Sequence, residues 1–274
     1  MRMFFANAEE PESVDICIKA GAEYVLGTYA VIRRKPDYLV NPLLAAKFKT
    51  FFLDSGAFSA FTIGEQIDVN EYGRFCLANK SYVRPYANLD VIGDWKGTLV
   101  NQRRLESMGL APMPVFHLAT PAEPWGLLDD LCRRYDYFAI GGVATKNFTP
   151  SEKRVFLDKC WAIIMRRWTP ARPIKVHGFG VTGQRLLEAY PWYSVDSTSW
   201  IVGRTRRLIF NWTGRHLDVL GTAKDKAESG RADVLDSEGK RRWRECDTHN
   251  VKQLLLMSRA ITDIWASRGV VWSN

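Results

Sequence analysis

Eight short apolar runs, most closing on glycine or a polar residue, recur along the chain with amphipathic stretches between them. They are Met3–Ala6, Tyr24–Ile32, Phe51–Asp54, Val83–Leu89, Met113–Leu118, Tyr137–Ile140, Ile174–Val176 and Trp192–Val195. Helical patterning falls on Glu12–Ala20, Asn70–Asn79, Thr98–Met108, Ser151–Trp168, Gln184–Tyr190 and Thr248–Ser267. Apolar runs alternating with amphipathic helices predict a parallel sheet with crossover helices. Eight of them in 274 residues predict an α/β fold, one (β/α)8 TIM barrel spanning residues 1–274. The pattern degrades over 203–244, where charges crowd around Gly214, Gly221, Gly230 and Gly239. A basic loop or insertion before the last helix is expected there, and loops of that length are usually functional or disordered.

Thirty-eight Lys plus Arg against 30 Asp plus Glu leave a formal charge of +8. That excess favours a polyanionic partner and says nothing about fold. The cysteines, Cys17, Cys76, Cys132, Cys160 and Cys246, are scattered and odd in number. They form no disulfide framework, so a reducing compartment is the simpler reading. No apolar run is long enough to cross a bilayer and the first residues carry no signal-peptide core. A soluble, cytoplasmic protein without a membrane partner is expected.

In a barrel of this type chemistry gathers at the carboxyl ends of the strands. There the expected strands bring together Asp54, Phe58, Asp90, Asp94, His117, Gly141, Gly142, His177, Gly178 and Asp196. Two carboxylates across a pocket can divide a glycosidic substitution into two steps, one attacking the anomeric carbon and the other moving the proton. Glycines let backbone groups reach the edge of a planar base, and an aromatic ring can cover its face. Each residue also has a plainer role. Asp54 and Asp90 can cap turns, Asp94 can be a surface charge, the histidines can sit satisfied in the core, and the glycines can make tight turns.

Four segments carry a likeness in order: Asp54-Ser55-Gly56-Ala57-Phe58, Ala139-Ile140-Gly141-Gly142-Val143, His177-Gly178-Phe179-Gly180-Val181 and Ser194-Val195-Asp196-Ser197. Over residues 50–205 the chain resembles the tRNA-guanine transglycosylase superfamily, and most of all its DNA-acting branch, the phage and bacterial DpdA-like 7-deazaguanine DNA transglycosylases. The resemblance implies a transferase that replaces guanine in DNA with a 7-deazaguanine such as preQ0. Asp196 would be the nucleophile at C1′ and Asp54 the acid/base. Phe58 would stack on the base, and Asp90, with Asp94 as the alternative, would read it. Gly141, Gly142, His177 and Gly178 would line the pocket, with His117 near a polar base contact.

The chain departs from the tRNA enzymes in lacking their clustered zinc ligands, since only Cys246 and His249 lie together. No zinc and no other cofactor is expected, because a structural site needs four ligands at short spacing. Arg204, Arg206 and Arg207 follow the nucleophile motif, and Lys240, Arg241, Arg242 and Arg244 surround Trp243. Both groups are expected to bind phosphate and to hold DNA while a guanine is flipped out. Three alternatives stay open: exchange on tRNA, a hydrolytic DNA glycosylase or nucleosidase, and an inactive barrel acting as a DNA-binding module.

Overall fold

The computed structural model describes residues 1–35, 47–119, 122–221 and 242–272. Its centre is an eight-stranded sheet in which every pairing is parallel. The strands are β1 (Arg2–Ala6), β2 (Tyr24–Thr28), β3 (Thr50–Asp54), β4 (Val83–Tyr86), β5 (Val115–His117), β6 (Tyr137–Gly141), β7 (Lys175–Gly178) and β8 (Ser194–Ser197), in the order β4-β3-β2-β1-β8-β7-β6-β5. The sheet curls until segments beyond its outer strands meet: Ala87 bridges Met113, and the Met113 amide donates to the Tyr86 carbonyl at 2.8 Å. The expected alternation of strand and helix is what forms.

The helices follow from apolar faces and end signals. They are α1 (Pro11–Ala20), α2 (Tyr29–Ile32), α3 (Ala57–Thr62), α4 (Val69–Asn79), α5 (Trp95–Ser107), α6 (Trp125–Arg134), α7 (Pro150–Arg167) and α8 (Gln184–Ala189). Helix α7 starts on a capping box in which the Thr149 hydroxyl accepts from the Glu152 amide and the Glu152 carboxylate accepts from the Thr149 amide. That reciprocal pair satisfies amides the helix leaves open. The run Tyr24–Ile32, expected as one strand, breaks after Thr28 into α2. Helix α6 falls where no helix was expected, and it buries Leu128, Leu131 and Cys132 on one face.

Two apolar layers hold the sheet. Phe4, Leu26, Phe52, Met113 and Val115 fill the inside of the curl. The larger layer, which includes Phe5, Leu53, Phe138, Ile140 and Val195, packs between sheet and helices.

The stretch expected as a loop over 203–244 carries regular structure where it is described. A 3-10 turn (Ser199–Ile201) leads into α9 (Val202–Arg206), and β9 (Ile209–Trp212) pairs antiparallel with β10 (Leu217–Leu220). The last helix, α10 (Trp243–Ser267), begins five residues before the expected Thr248. Its Asn250 and Gln253 accept from the Phe210 and Trp212 amides at 2.8 and 2.7 Å. Side chains thus satisfy the backbone edge of β9 that β10 does not pair. Glycines made 203–244 look irregular, whereas these side-chain contacts are long-range and invisible in a local pattern. Residues 222–241 lie outside the described residues. No helix among the described residues is long and apolar enough to cross a membrane.

Candidate active site

Asp54 ends β3, and its Oδ2 accepts from the Gly56 amide at 3.2 Å. The turn needs Gly56: φ is +77°, and a Cβ there would stand 2.5 Å from that of Ala30. Burial, followed by the nearby charges of Asp196 and Asp90, pushes the Asp54 carboxyl up to about 7. Three acids from β3, β8 and the segment after β4 therefore feel one another across the carboxyl end of the sheet. On α3, immediately beyond, Phe58 is 57% exposed, with Phe61 and Ile63 exposed beside it. A large ring left in water next to a carboxylate is free to cover a ligand.

Asp196 is buried on β8. Its Oδ1 accepts from the Gly180 amide at 2.8 Å and meets Nε2 of His177 at 3.3 Å. The other imidazole nitrogen, Nδ1, lies 2.7 Å from the Ser194 hydroxyl, which lies 2.6 Å from the Tyr137 hydroxyl. Because a carboxylate only accepts, Nε2–H donates to Asp196, and Nδ1 joins the ring to the Ser194 and Tyr137 hydroxyls. His177 is wholly buried, with its ring 4.8 Å from that of Phe52 and 4.6 Å from that of Phe179. Where the resemblance implied that His177 lines the pocket, the structure sets its ring behind Asp196 and inside this aromatic collar.

Asp90 and His117 form a second cluster. Nε2 of His117 sits 3.2 Å from Asp90 Oδ2 and Nδ1 sits 3.1 Å from Glu123 Oε1, while the His117 amide donates to Glu123 Oε2 at 2.8 Å. Burial works against the charged ring, but the Asp90 and Glu123 carboxylates outweigh it and raise His117 to about 10. His117 is an imidazolium at neutral pH, bridging two acids, so its nitrogens are taken. Asn88 Nδ2 also donates to Asp90, at 3.3 Å. Asp94, the alternative to Asp90, is exposed and accepts from the Lys96 amide at 3.0 Å as the N-cap of α5.

The glycines serve packing. A Cβ on Gly142, where φ is +79°, would fall 2.3 Å from the Leu118 carbonyl oxygen. One on Gly141 would strike the His117 ring at 2.8 Å, and one on Gly178 would press on Val181 and Trp192 at 2.9 and 3.0 Å. Gly141 therefore makes room for His117, and Gly178 makes room for Val181 and Trp192.

The basic residues divide. Arg204 turns inward: its Nε donates to the fully buried Asp247 at 2.6 Å, and its guanidinium stacks 5.3 Å over Trp200 and 4.8 Å over Trp243. The structure thus sets against α10 a residue expected at the phosphates. Arg244 is exposed but paired with Glu12, its Nε donating at 2.6 Å. Arg206, Arg207 and Arg242 are exposed. Lys240 and Arg241 lie outside the described residues. Cys246 is buried, and His249 Nε2 lies 2.8 Å from the Phe210 carbonyl oxygen.

Ser194, Tyr137 and Glu123 were missed as site residues. Ser194 had a signal, since it stands two residues before Asp196 on a strand and so shares its face. Glu123 had none, because it arrives from a loop. No protein-family model matches the chain, and no curated protein matches it.

Proposed function

We propose that this protein is a base-exchange transglycosylase of the DpdA-like kind, replacing guanine in DNA with a 7-deazaguanine on a closed (β/α)8 barrel. The observation that carries the reading is the pairing of unlike carboxyls at one sheet end. Asp54 is raised to about 7 by burial and then by the charges of Asp196 and Asp90, while Asp196 is hydrogen-bonded through a single oxygen to Gly180 and His177. An acid poised near neutrality suits proton transfer in both directions. A carboxylate fixed through Oδ1 presents Oδ2 for attack.

In the first step Asp196 Oδ2 bonds to C1′ as the C1′–N9 bond breaks. The electron pair goes to N9 of guanine, which takes the proton of Asp54. In the second, the Asp54 carboxylate removes N9–H from the incoming 7-deazaguanine, whose N9 displaces Asp196 from C1′. Atoms and charge balance without a further reactant, and two inversions restore the β configuration. Phe58 supplies the stacking face, and Asp90, held by His117, the polar edge.

Labelled preQ0 offered with duplex DNA and, separately, with tRNA tests this reading. Uptake into DNA, read by nucleoside mass spectrometry and lost in Asp196→Ala, is the expected result. Uptake into tRNA alone reassigns the substrate. Guanine release without uptake makes the protein a hydrolase, and no reaction with either nucleic acid overturns the proposal.

A further inference from the structure

Glu9 is the buried acid that none of the roles above uses. The chain leaves β1 at Ala6, passes Asn7 with φ of +65°, and buries Glu9 to 5% exposure before α1 begins at Pro11. Its Oε2 is buried and has no hydrogen-bond partner among the described residues. Leaving a buried polar atom unpaired is destabilising, and more so when the group is charged.

The position is specific. Strand β1 lies between β8 and β2, with Phe4 opposite Asp196 in one pairing, and β2 in turn sets Thr28 opposite Asp54. Glu9 thus follows the carboxyl end of β1, one of the two strands between the proposed catalytic aspartates. Burial first, then the charges of Glu10 and Asp54, push the Glu9 carboxyl up to about 7, so it shares the same electrostatic space. Sequence alone gave no reason to single it out, because Glu9-Glu10 reads as the solvated start of a helix.

We infer that Glu9 is a fourth acid of the site, whose orphan oxygen accepts an N–H or O–H donor from the bound nucleoside. The contact rests on the base-exchange reading, and the donor belongs either to the base or to the sugar. In this role Glu9 is a substrate-binding residue that the empty protein holds at a cost.

The test compares wild type with Glu9→Leu and Glu9→Gln in calorimetric titrations with free preQ0, free guanine, an oligodeoxynucleotide and an oligoribonucleotide. Glu9→Leu is expected to weaken binding about ten- to a hundredfold, the span of one hydrogen bond to a charged group. Glu9→Gln, which keeps one acceptor oxygen, is expected to recover part of it. A loss with the free bases puts the donor on the base, and a loss with the oligonucleotides alone puts it on the sugar. Thermal unfolding without ligand is the second readout. Glu9→Leu is expected to melt at or above the wild-type temperature, since an unpartnered buried acid is removed. Unchanged binding in every titration, or a lowered melting temperature, overturns the Glu9 contact while wild-type binding stands. A wild type that binds none of the four removes the base-exchange reading and the contact together.

Discussion

Asp54 and His177 show how one sheet end gives two polar groups opposite tasks. Asp54 is raised from 3.8 to about 7, so the folded protein keeps a proton there that the unfolded chain releases across that window. Its cost to stability is therefore absent at low pH and grows as pH climbs towards neutrality. Asp54→Asn is predicted to stabilise the protein by on the order of 2 kcal/mol near pH 8 and by almost nothing near pH 4, while exchange is lost. Urea unfolding at the two pH values decides it, and an equal effect at both would show that Asp54 is not the strained acid. For His177 the prediction concerns rate. The ring donates to Asp196 from inside an aromatic collar, so His177→Phe is expected to lower kcat about ten- to a hundredfold while KM for the base stays put. A matching rise in KM would place His177 in contact with substrate after all. Both aspartates could be picked out of the sequence because each closes an apolar run. The jobs of the histidines could not, since a residue at a strand end faces ligand or core according to neighbours brought from other strands.

Elements sort the basic residues more sharply than charge does. Arg204 and Arg206 share one turn of α9, and counting charges gives them the same role. The turn instead aims Arg204 at Asp247 on α10, where Asp247 is wholly buried and Arg204 mostly so, with side-chain exposures of 0% and 21%. Burial raises the Asp247 carboxyl while Arg204 opposes the rise, so the pair fastens α9 to α10. Arg204→Ala strands a buried acid and is predicted to cost about 3–5 kcal/mol in denaturant unfolding. Affinity for DNA, measured where the variant is still folded, should not move. A variant of normal stability and weakened DNA binding would return Arg204 to the phosphates. The same contrast explains which elements local pattern reached. Helix α7 announces itself through Thr149, Pro150 and Glu152. Helix α6 hides its apolar face of Leu128, Leu131 and Cys132 among Asp129, Asp130, Arg133 and Arg134. The hairpin of β9 and β10 depends on Asn250 and Gln253 more than thirty residues away.

At the scale of the whole molecule, the net charge of +8 must be placed before it predicts anything. Cations lie at both ends of the sheet. Arg206 and Arg207 stand exposed beyond β8, on the side of Asp54 and Asp196. At the amino end Arg2, Lys80, Arg84, Arg172 and Lys175 line a cavity of about 810 Å³. Some of these are occupied: Arg172 binds Asp136 and the Cys132 carbonyl, and the guanidinium of Arg2 lies 4.7 Å over the Tyr193 ring. If DNA is worked on at the carboxyl end, only the cations there neutralise its phosphates, and the amino-end group is a bystander. The slope of log affinity against log salt should therefore fall by about 0.9 for each phosphate contact removed in Arg206→Ala and Arg207→Ala. Arg84→Ala and Lys175→Ala should leave that slope where it is. Affinity measured over a range of salt concentrations reads both outcomes in one assay. A slope that answers to the amino-end pair instead would seat the nucleic acid on the face away from Asp196, where no base of a bound strand could reach the aspartate, and would take the exchange reaction with it.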